Sequence, residues 1–433
     1  MNTNTSSDII IVGAGAAGLM AAKELAPHFR VTVLEARGEP GGRIRTTCRA
    51  GKKHIEQGAE FVHGRLPVTM ELIRQAGLSY SPVQGNFYQV KDGNWTLSEG
   101  MIEGWDELME KMKAEKNDMT MLAFLQKHYS DEKHFSLRKH ISRFAEGFDL
   151  ADISRVSLKS LLDEWMNETD ETDENFRIDS GYMSLVRFLE SECIRLGCNI
   201  IYDSPVKLIE WTKGSVKAYK DPATFHEATS VLITIPLGLL QSREAIDAIR
   251  FDPAIDHYLD ATQQMGYGSV IKFVLDFTKP FWQEKYPDVG FVVSEEQVPT
   301  WWVQQKDDTL LTGWLGGPPA DEWINAGKEQ LLSIAVHSLS NIFQLSYAEI
   351  QDMLVESHVF NWPHDEWADG GYSYTTPESA SVLKLFNDPP ADTIFFGGEG
   401  FYEGKSPGTV EAALSNGLAM AKKLIAAFRS AGA

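Results

Sequence analysis

The chain has 433 residues, 43% hydrophobic and 11% aromatic, enough to bury a large core in roughly two to three domains and unlike a disordered chain. A formal charge of −21 argues against a nucleic-acid partner and against an anionic membrane surface, while an acidic shell weakly attracts cationic small molecules. Three cysteines, Cys48, Cys193 and Cys198, are too few for a disulfide framework and form no Cys-x-x-Cys metal pair, which fits a reducing, cytoplasmic compartment and no metal site.

Residues 8–35 read as strand, tight turn, helix, strand. The apolar stretch from Ile9 to Ala22 is too short to span a bilayer, and no basic residue precedes it as in a signal peptide. Its glycines have a better explanation. Gly13, Gly15 and Gly18 stand in the G-x-G-x-x-G spacing, with Ala17 inside it. Gly13 permits the turn, Gly15 lets backbone approach a pyrophosphate, and Gly18 lets the helix pack on the strand. The helix that follows aims its positive dipole end at the phosphates. Glu35 ends the second strand, where a carboxylate accepts hydrogen bonds from ribose hydroxyls, and Ala36 and Arg37 adjoin it. A little further on, Gly41 and Gly42 let the backbone run beside a second ligand segment, and Arg43 can meet phosphate.

Residues 100–195 are rich in helix formers and charge, with apolar residues such as Met109, Met112, Leu122, Phe124 and Leu125 at three-to-four spacing, and read as a helical insert. The stretch 168–174 reads as a charged surface loop. From about 198 the pattern turns strand-like at Asn199–Tyr202, Val206–Trp211, Val231–Ile235, Gly266–Phe277 and Val289–Val293, with a short buried strand at Thr393–Phe396. Lys272 shares a strand face with Val270 and Val274, and pattern alone sets such a lysine at an exposed sheet edge. Trp301 and Trp302 could line a pocket, but such aromatics are more often core, and they are left out of the site. Gly408 to Phe428 reads as a helix, and Lys422, Lys423 and Arg429 break its apolar run, unlike a tail anchor.

The run from Glu35 through Gly41, Gly42 and Arg43 resembles the flavin-binding signature of the flavin amine oxidase family, which includes monoamine, polyamine and L-amino-acid oxidases and flavin histone demethylases. Three further segments match. The loop Gly58, Ala59, Glu60, Phe61, Val62, His63, Gly64 resembles the flavin-side loop of polyamine oxidases, with Phe61 where those carry Trp. The segment around Val206 resembles the strand whose valine backbone meets the adenine. Gly397, Gly398 and Glu399, followed by Gly408, Thr409 and Val410, resemble the C-terminal flavin motif. The matches run from residue 8 to about 425, loosely over the helical insert.

The resemblance implies a two-domain α/β flavoprotein. A discontinuous Rossmann-like FAD domain would comprise 1–66, 198–245 and 390–433. An α+β substrate domain, with a mixed sheet and the 100–195 insert, would comprise 67–197 and 246–389. It implies oxidation of a small amine with O2 as acceptor. Lys272 resembles the family lysine that holds a water against the flavin. The stretch with Trp362 and Trp367 resembles the one in which monoamine oxidases carry a flavin-linked cysteine and then a tyrosine. Here those two positions are Gly371 and Tyr372, which implies non-covalent FAD, with Tyr372 as one wall of an aromatic cage. Phe401 or Tyr402 is the choice for the other wall, and His63 would lie near the amine path. An L-amino-acid oxidase, a flavin-binding interaction protein with little turnover and an NAD-linked dehydrogenase remain as alternatives, and the oligomeric state stays open.

Overall fold

The computed structural model describes residues 7–49, 54–97, 104–167, 174–243, 248–304 and 308–431. The charged loop expected at 168–174 therefore lies outside them except for Glu174. The chain forms two compact units, 1–81 with 166–267 and 366–433, and 82–165 with 268–365.

The first unit is built on a five-stranded parallel sheet in the order Asn199–Ile201, Val31–Leu34, Ile9–Val12, Ser230–Ile233, Ile394–Phe396. The three central strands are buried along their whole length, as a parallel sheet covered on both faces requires. Side chains alternate between two cores. Ile9 and Ile11 join one with the helices Ala16–Leu25, Met183–Arg195 and Val410–Ala431. Ile10 and Val12 join the other, with Val206, Ile209, Tyr258, Phe386 and Phe401. A four-stranded sheet, Thr224–Ala228, Ser215–Asp221, Leu208–Thr212 and Arg250–Asp252, belongs to the same unit.

The second unit carries a seven-stranded mixed sheet ordered Leu354–Asn361, Val270–Phe277, Leu310–Gly316, Thr300–Val303, Val289–Ser294, Asn86–Lys91, Asn94–Leu97. Its pairings are antiparallel except that of Val289–Ser294 with Asn86–Lys91. One face packs Ile271, Phe273, Leu275, Trp301 and Leu315 against the helix Lys328–Phe343. The insert supplies the helices Trp105–Ala114, Met121–His128 and Phe135–Phe148, with Met109, Met112, Phe124 and Leu125 buried as their spacing predicts.

The units divide the chain differently from the expected domain bounds. Residues 166–195 stand in the first unit, apart from 100–165 of the insert, and Leu185, Val186, Leu189 and Cys193 of Met183–Arg195 bury against Ala16–Leu25. Residues 175–178, inside the stretch read as helical, form a strand paired to Val62–His63. The expected strand Gly266–Phe277 is interrupted at Gly268, where an added Cβ would stand 2.2 Å from the Leu150 carbonyl oxygen. Among the described residues no helix is long and apolar enough to cross a membrane.

Candidate active site

The glycine turn of the first unit forms as its spacing requires. Gly13 has φ +106°, a conformation natural to glycine. An added Cβ on Gly18 would come within 2.0 Å of the Gly13 carbonyl oxygen, so only glycine lets this helix sit so close to the turn. Gly15 differs: its φ is −76° and a Cβ there would meet nothing within 4 Å. The helix it opens has no side-chain cap and no acidic residue in its first turn. Its N–H groups are thus left for an anion. Gly15 also bridges Gly41, so the two glycine-rich segments lie side by side, and Gly42 has its open Cβ position 3.8 Å from the Gly15 Cα. That cradle, open where a phosphate needs access and tight elsewhere, fits a dinucleotide.

Glu35 Oε2 accepts a hydrogen bond from the Ala14 N–H at 2.7 Å, and Oε1 accepts one from the Arg37 N–H at 2.9 Å. Burial pushes its carboxyl above the usual range, against those hydrogen bonds and the Arg37 charge. The Ser204 N–H donates to the Glu35 carbonyl and the Asp203 N–H to that of Arg37. These bonds bring the segment leading to Val206 beside Glu35, Ala36 and Arg37.

Arg43 is the hub of the unit. Its Nη1 donates to the Gly371 carbonyl at 2.6 Å and to Glu399 Oε1 at 2.8 Å. Glu399, 6% exposed, also accepts from the backbone and hydroxyl of Ser373. Arg43 and Glu399 thereby hold the residues on either side of Tyr372. Gly408 completes the turn: at φ +68° it leaves room for the Tyr372 ring, 2.7 Å from where a Cβ would stand. Gly398, at φ +123°, donates its N–H to Asn416 Oδ1, and Asn416 Nδ2 donates to the Phe401 carbonyl. Thr409 Oγ1 accepts the Ala412 N–H beside Val410 at the start of the last helix. The two expectations for a second aromatic wall separate here. Phe401 is core, packed on Phe386 and Phe396, whereas Tyr402 is half-buried. Burial and the Glu411 charge raise the Tyr402 phenol.

The loop Gly58–Gly64 lies in the same unit. The Ala59 N–H donates to the Arg43 carbonyl, and Glu60 pairs with Arg177 at 2.9 Å. The same Arg177 guanidinium lies 4.6 Å from the Phe61 ring centroid. His63 is solvent-exposed, and the protein atoms crowded around its ring lower its imidazole below the ordinary range, against a hydrogen bond with Asn175. Trp367 is half-buried, its ring 5.2 Å from Lys207 Nζ.

In the second unit Lys272 is 0% exposed, on an interior strand between Trp314 and Phe360. The edge position that pattern alone suggests is therefore not where it stands. Its Nζ lies 5.5 Å from the Trp302 ring centroid. Trp362, also buried, begins a short helical turn just after the neighbouring strand.

A family model described as flavin containing amine oxidoreductase matches residues 16–425. The chain belongs to the flavin containing amine oxidoreductase family. The cofactor of this oxidoreductase is FAD. It is 25% identical to human lysine-specific histone demethylase 2 over 97% of this chain and 54% of that protein. It is 24% identical to probable polyamine oxidase 4 of Arabidopsis thaliana over 95% of this chain and 86% of that one. The chain spans about half the length of the curated histone demethylases it matches. Two solved structures share its fold: putrescine oxidase bound to putrescine (TM-score 0.79, 20% identity, 98% and 99% of the two chains) and cyclohexylamine oxidase from Brevibacterium oxydans IH-35A (0.77, 22%, 97% and 100%).

Of the residues expected from the sequence, the glycine turns, Glu35, Arg43, Glu399 and Tyr372 all stand in the first unit. Lys272 and Trp362 stand together in the second. Thr234, whose hydroxyl donates to the Val12 and Gly13 carbonyls, was not expected from the sequence, nor were Ser373 and Asn416. Asn416 carried a signal: a polar residue within an otherwise apolar run of the last helix.

Proposed function

We propose that the protein oxidises a small primary or secondary amine to an imine, which water hydrolyses to an aldehyde, and that it uses O2 as electron acceptor and releases H2O2. Bound FAD would accept hydride from the carbon beside the amine nitrogen and pass two electrons to O2. The protein's residues orient that carbon, receive the amine as its neutral base and keep the site apolar.

The observation that carries this reading is the full burial of Lys272 among aromatic side chains. An amine withdrawn from water on an interior strand is costly to the fold, which marks it as a functional group. Its role is to hold a water beside the flavin and to favour oxygen reduction by its charge. Tyr372, braced by Arg43, Glu399 and Gly408, supplies an aromatic face to the amine nitrogen. Tyr402 supplies the opposite wall, and His63 lines the amine's path. Gly13, Gly15, Gly18, Gly41 and Gly42 seat the pyrophosphate, and Glu35 the ribose.

The cofactor is held without a covalent bond. Gly371 supplies no thiol. Cys193 and Cys198 are buried, with thiols directed at the Leu19 and Ala22 carbonyls, and Cys48 is exposed. Denaturation in trichloroacetic acid should release all the yellow colour to the supernatant. The decisive experiment is anaerobic addition of amines to the purified yellow protein. Bleaching of the flavin band, followed by peroxide release on admitting air, is expected. A band that no primary or secondary amine bleaches overturns the proposal.

A further inference from the structure

The lysine-bearing face of the seven-stranded sheet has its own composition. Residues directly opposed on neighbouring strands share a face. Lys272 is opposed by Trp314, Thr312 by Trp302, Trp302 by Phe291, and Phe291 by Phe87. The rings form a continuous strip. Trp302 and Trp314 are 5.9 Å apart, Phe291 and Trp302 6.3 Å, and Phe87 stacks on Phe291 at 4.3 Å. The strip runs from buried Lys272 to Phe87, which is 41% exposed. It also holds a polar group awaiting a partner: Thr312 is 0% exposed and its hydroxyl has no hydrogen bond among the described residues. A buried hydroxyl of that kind is expensive unless something supplies the missing bond. Trp301, next in sequence to Trp302, faces the opposite way into the core.

The carboxylates on the strands of this face are remote from the lysine and engaged. Asp276 lies four residues along the strand, about 13 Å away, and accepts from Thr309. Glu356 is paired with His358. The helix Phe135–Phe148 is tied to the sheet by the Trp314 indole, which donates to the Gly147 carbonyl. A second ammonium on an arm lying along this face would find the carboxylates of these strands distant and already engaged.

We infer that Trp302, Trp314 and Phe291 are specificity-determining residues that select an amine with one nitrogen and an aromatic or apolar arm, and reject diamines and polyamines. This rests on the proposed amine oxidation and names its substrate class. The arm lies along the ring strip and its CH edges meet the π faces.

The test compares kcat/KM of the holoenzyme for 2-phenylethylamine, butylamine, putrescine and spermidine. It also measures quenching of tryptophan fluorescence by benzyltrimethylammonium, which has no oxidisable N–H, against tetramethylammonium. Phenylethylamine should exceed putrescine by about tenfold or more, and only the benzyl cation should quench with saturation. Trp314→Leu should raise KM for phenylethylamine about tenfold while leaving butylamine's near its original value, and Trp314→Phe should restore most of the loss. Preference for putrescine or spermidine, or loss in Trp314→Leu equal for all amines, overturns the inference while leaving amine oxidation standing. If no amine bleaches the flavin, amine oxidation itself fails. The ring strip is then judged by quenching alone: saturable quenching by the benzyl cation supports it and none overturns it.

Discussion

Arg43 and Glu399 stand 356 positions apart in the chain, and their side chains meet at 2.8 Å within the first unit. The same two side chains hold Gly371 and Ser373, so the turn presenting Tyr372 is fixed from the opening and closing segments of the chain at once. Glu399→Ala should leave the partly buried guanidinium without its carboxylate. Removing one partner of a buried pair costs about 3 kcal/mol. The urea midpoint should fall accordingly, and amine turnover should fall further than flavin content. An unchanged midpoint would show that the pair does not brace the turn.

Neighbouring glycines of the nucleotide turn should behave oppositely. Gly18→Ala drives a Cβ to 2.0 Å from the Gly13 carbonyl, and backbone cannot yield cheaply, so the apoprotein itself should lose stability. Gly15→Ala adds a methyl into open space at an ordinary φ. Its apoprotein should melt like the original, or slightly higher from the stiffer unfolded chain, while its affinity for FAD falls. Thermal melts with and without added FAD separate the two. An FAD affinity unchanged in Gly15→Ala would remove this turn from the cofactor site.

These contrasts mark what the sequence made legible. The strand, turn and helix from Ile9 to Leu25 were readable because local glycine geometry and apolar runs dictate them. The partnership of Arg43 with Glu399 was not, since a salt bridge between distant segments leaves no periodic trace. Lys272 was misjudged by pattern because alternation reports which residues share a face, not whether the strand lies inside the sheet or at its edge. Trp301 and Trp302 illustrate the same gap. Both read as core, and strand register turns one into the core and the other onto the lysine's face. Met183–Arg195 was correctly read as helix, yet its unit is decided by tertiary burial alone.

Lys272→Met keeps the length of the side chain and removes its nitrogen. Methionine fills a similar volume in a buried setting, and a melt checks that the fold is kept. FAD should remain bound, and anaerobic bleaching by amine should persist. Reoxidation by O2 should slow by about a hundredfold, the scale on which a single positioned electrostatic group acts. Stopped-flow mixing of the reduced enzyme with oxygenated buffer measures it. Unchanged oxygen reactivity would remove the role assigned to this lysine.

Glu146, on the helix covering the ring strip, gives a pH test with a definite sign. Burial first, and the Asp152 charge second, push its carboxyl up to about 7, against the Arg143 charge. In the unfolded chain it ionises near 4.5. The folded state therefore binds the extra proton between those values, and this group's contribution favours folding at low pH and is lost as pH rises from about 4.5 through about 7. The full shift corresponds to roughly 3 kcal/mol, and partial exposure to solvent reduces it to about 2 kcal/mol. Glu146→Gln keeps the shape of the protonated acid. It should stabilise the protein by about that amount at pH 8 and by little at pH 4.5, so the difference between the two urea midpoints, variant minus original, should grow with pH. A difference that is flat across this window would show that the Glu146 carboxyl ionises as in water.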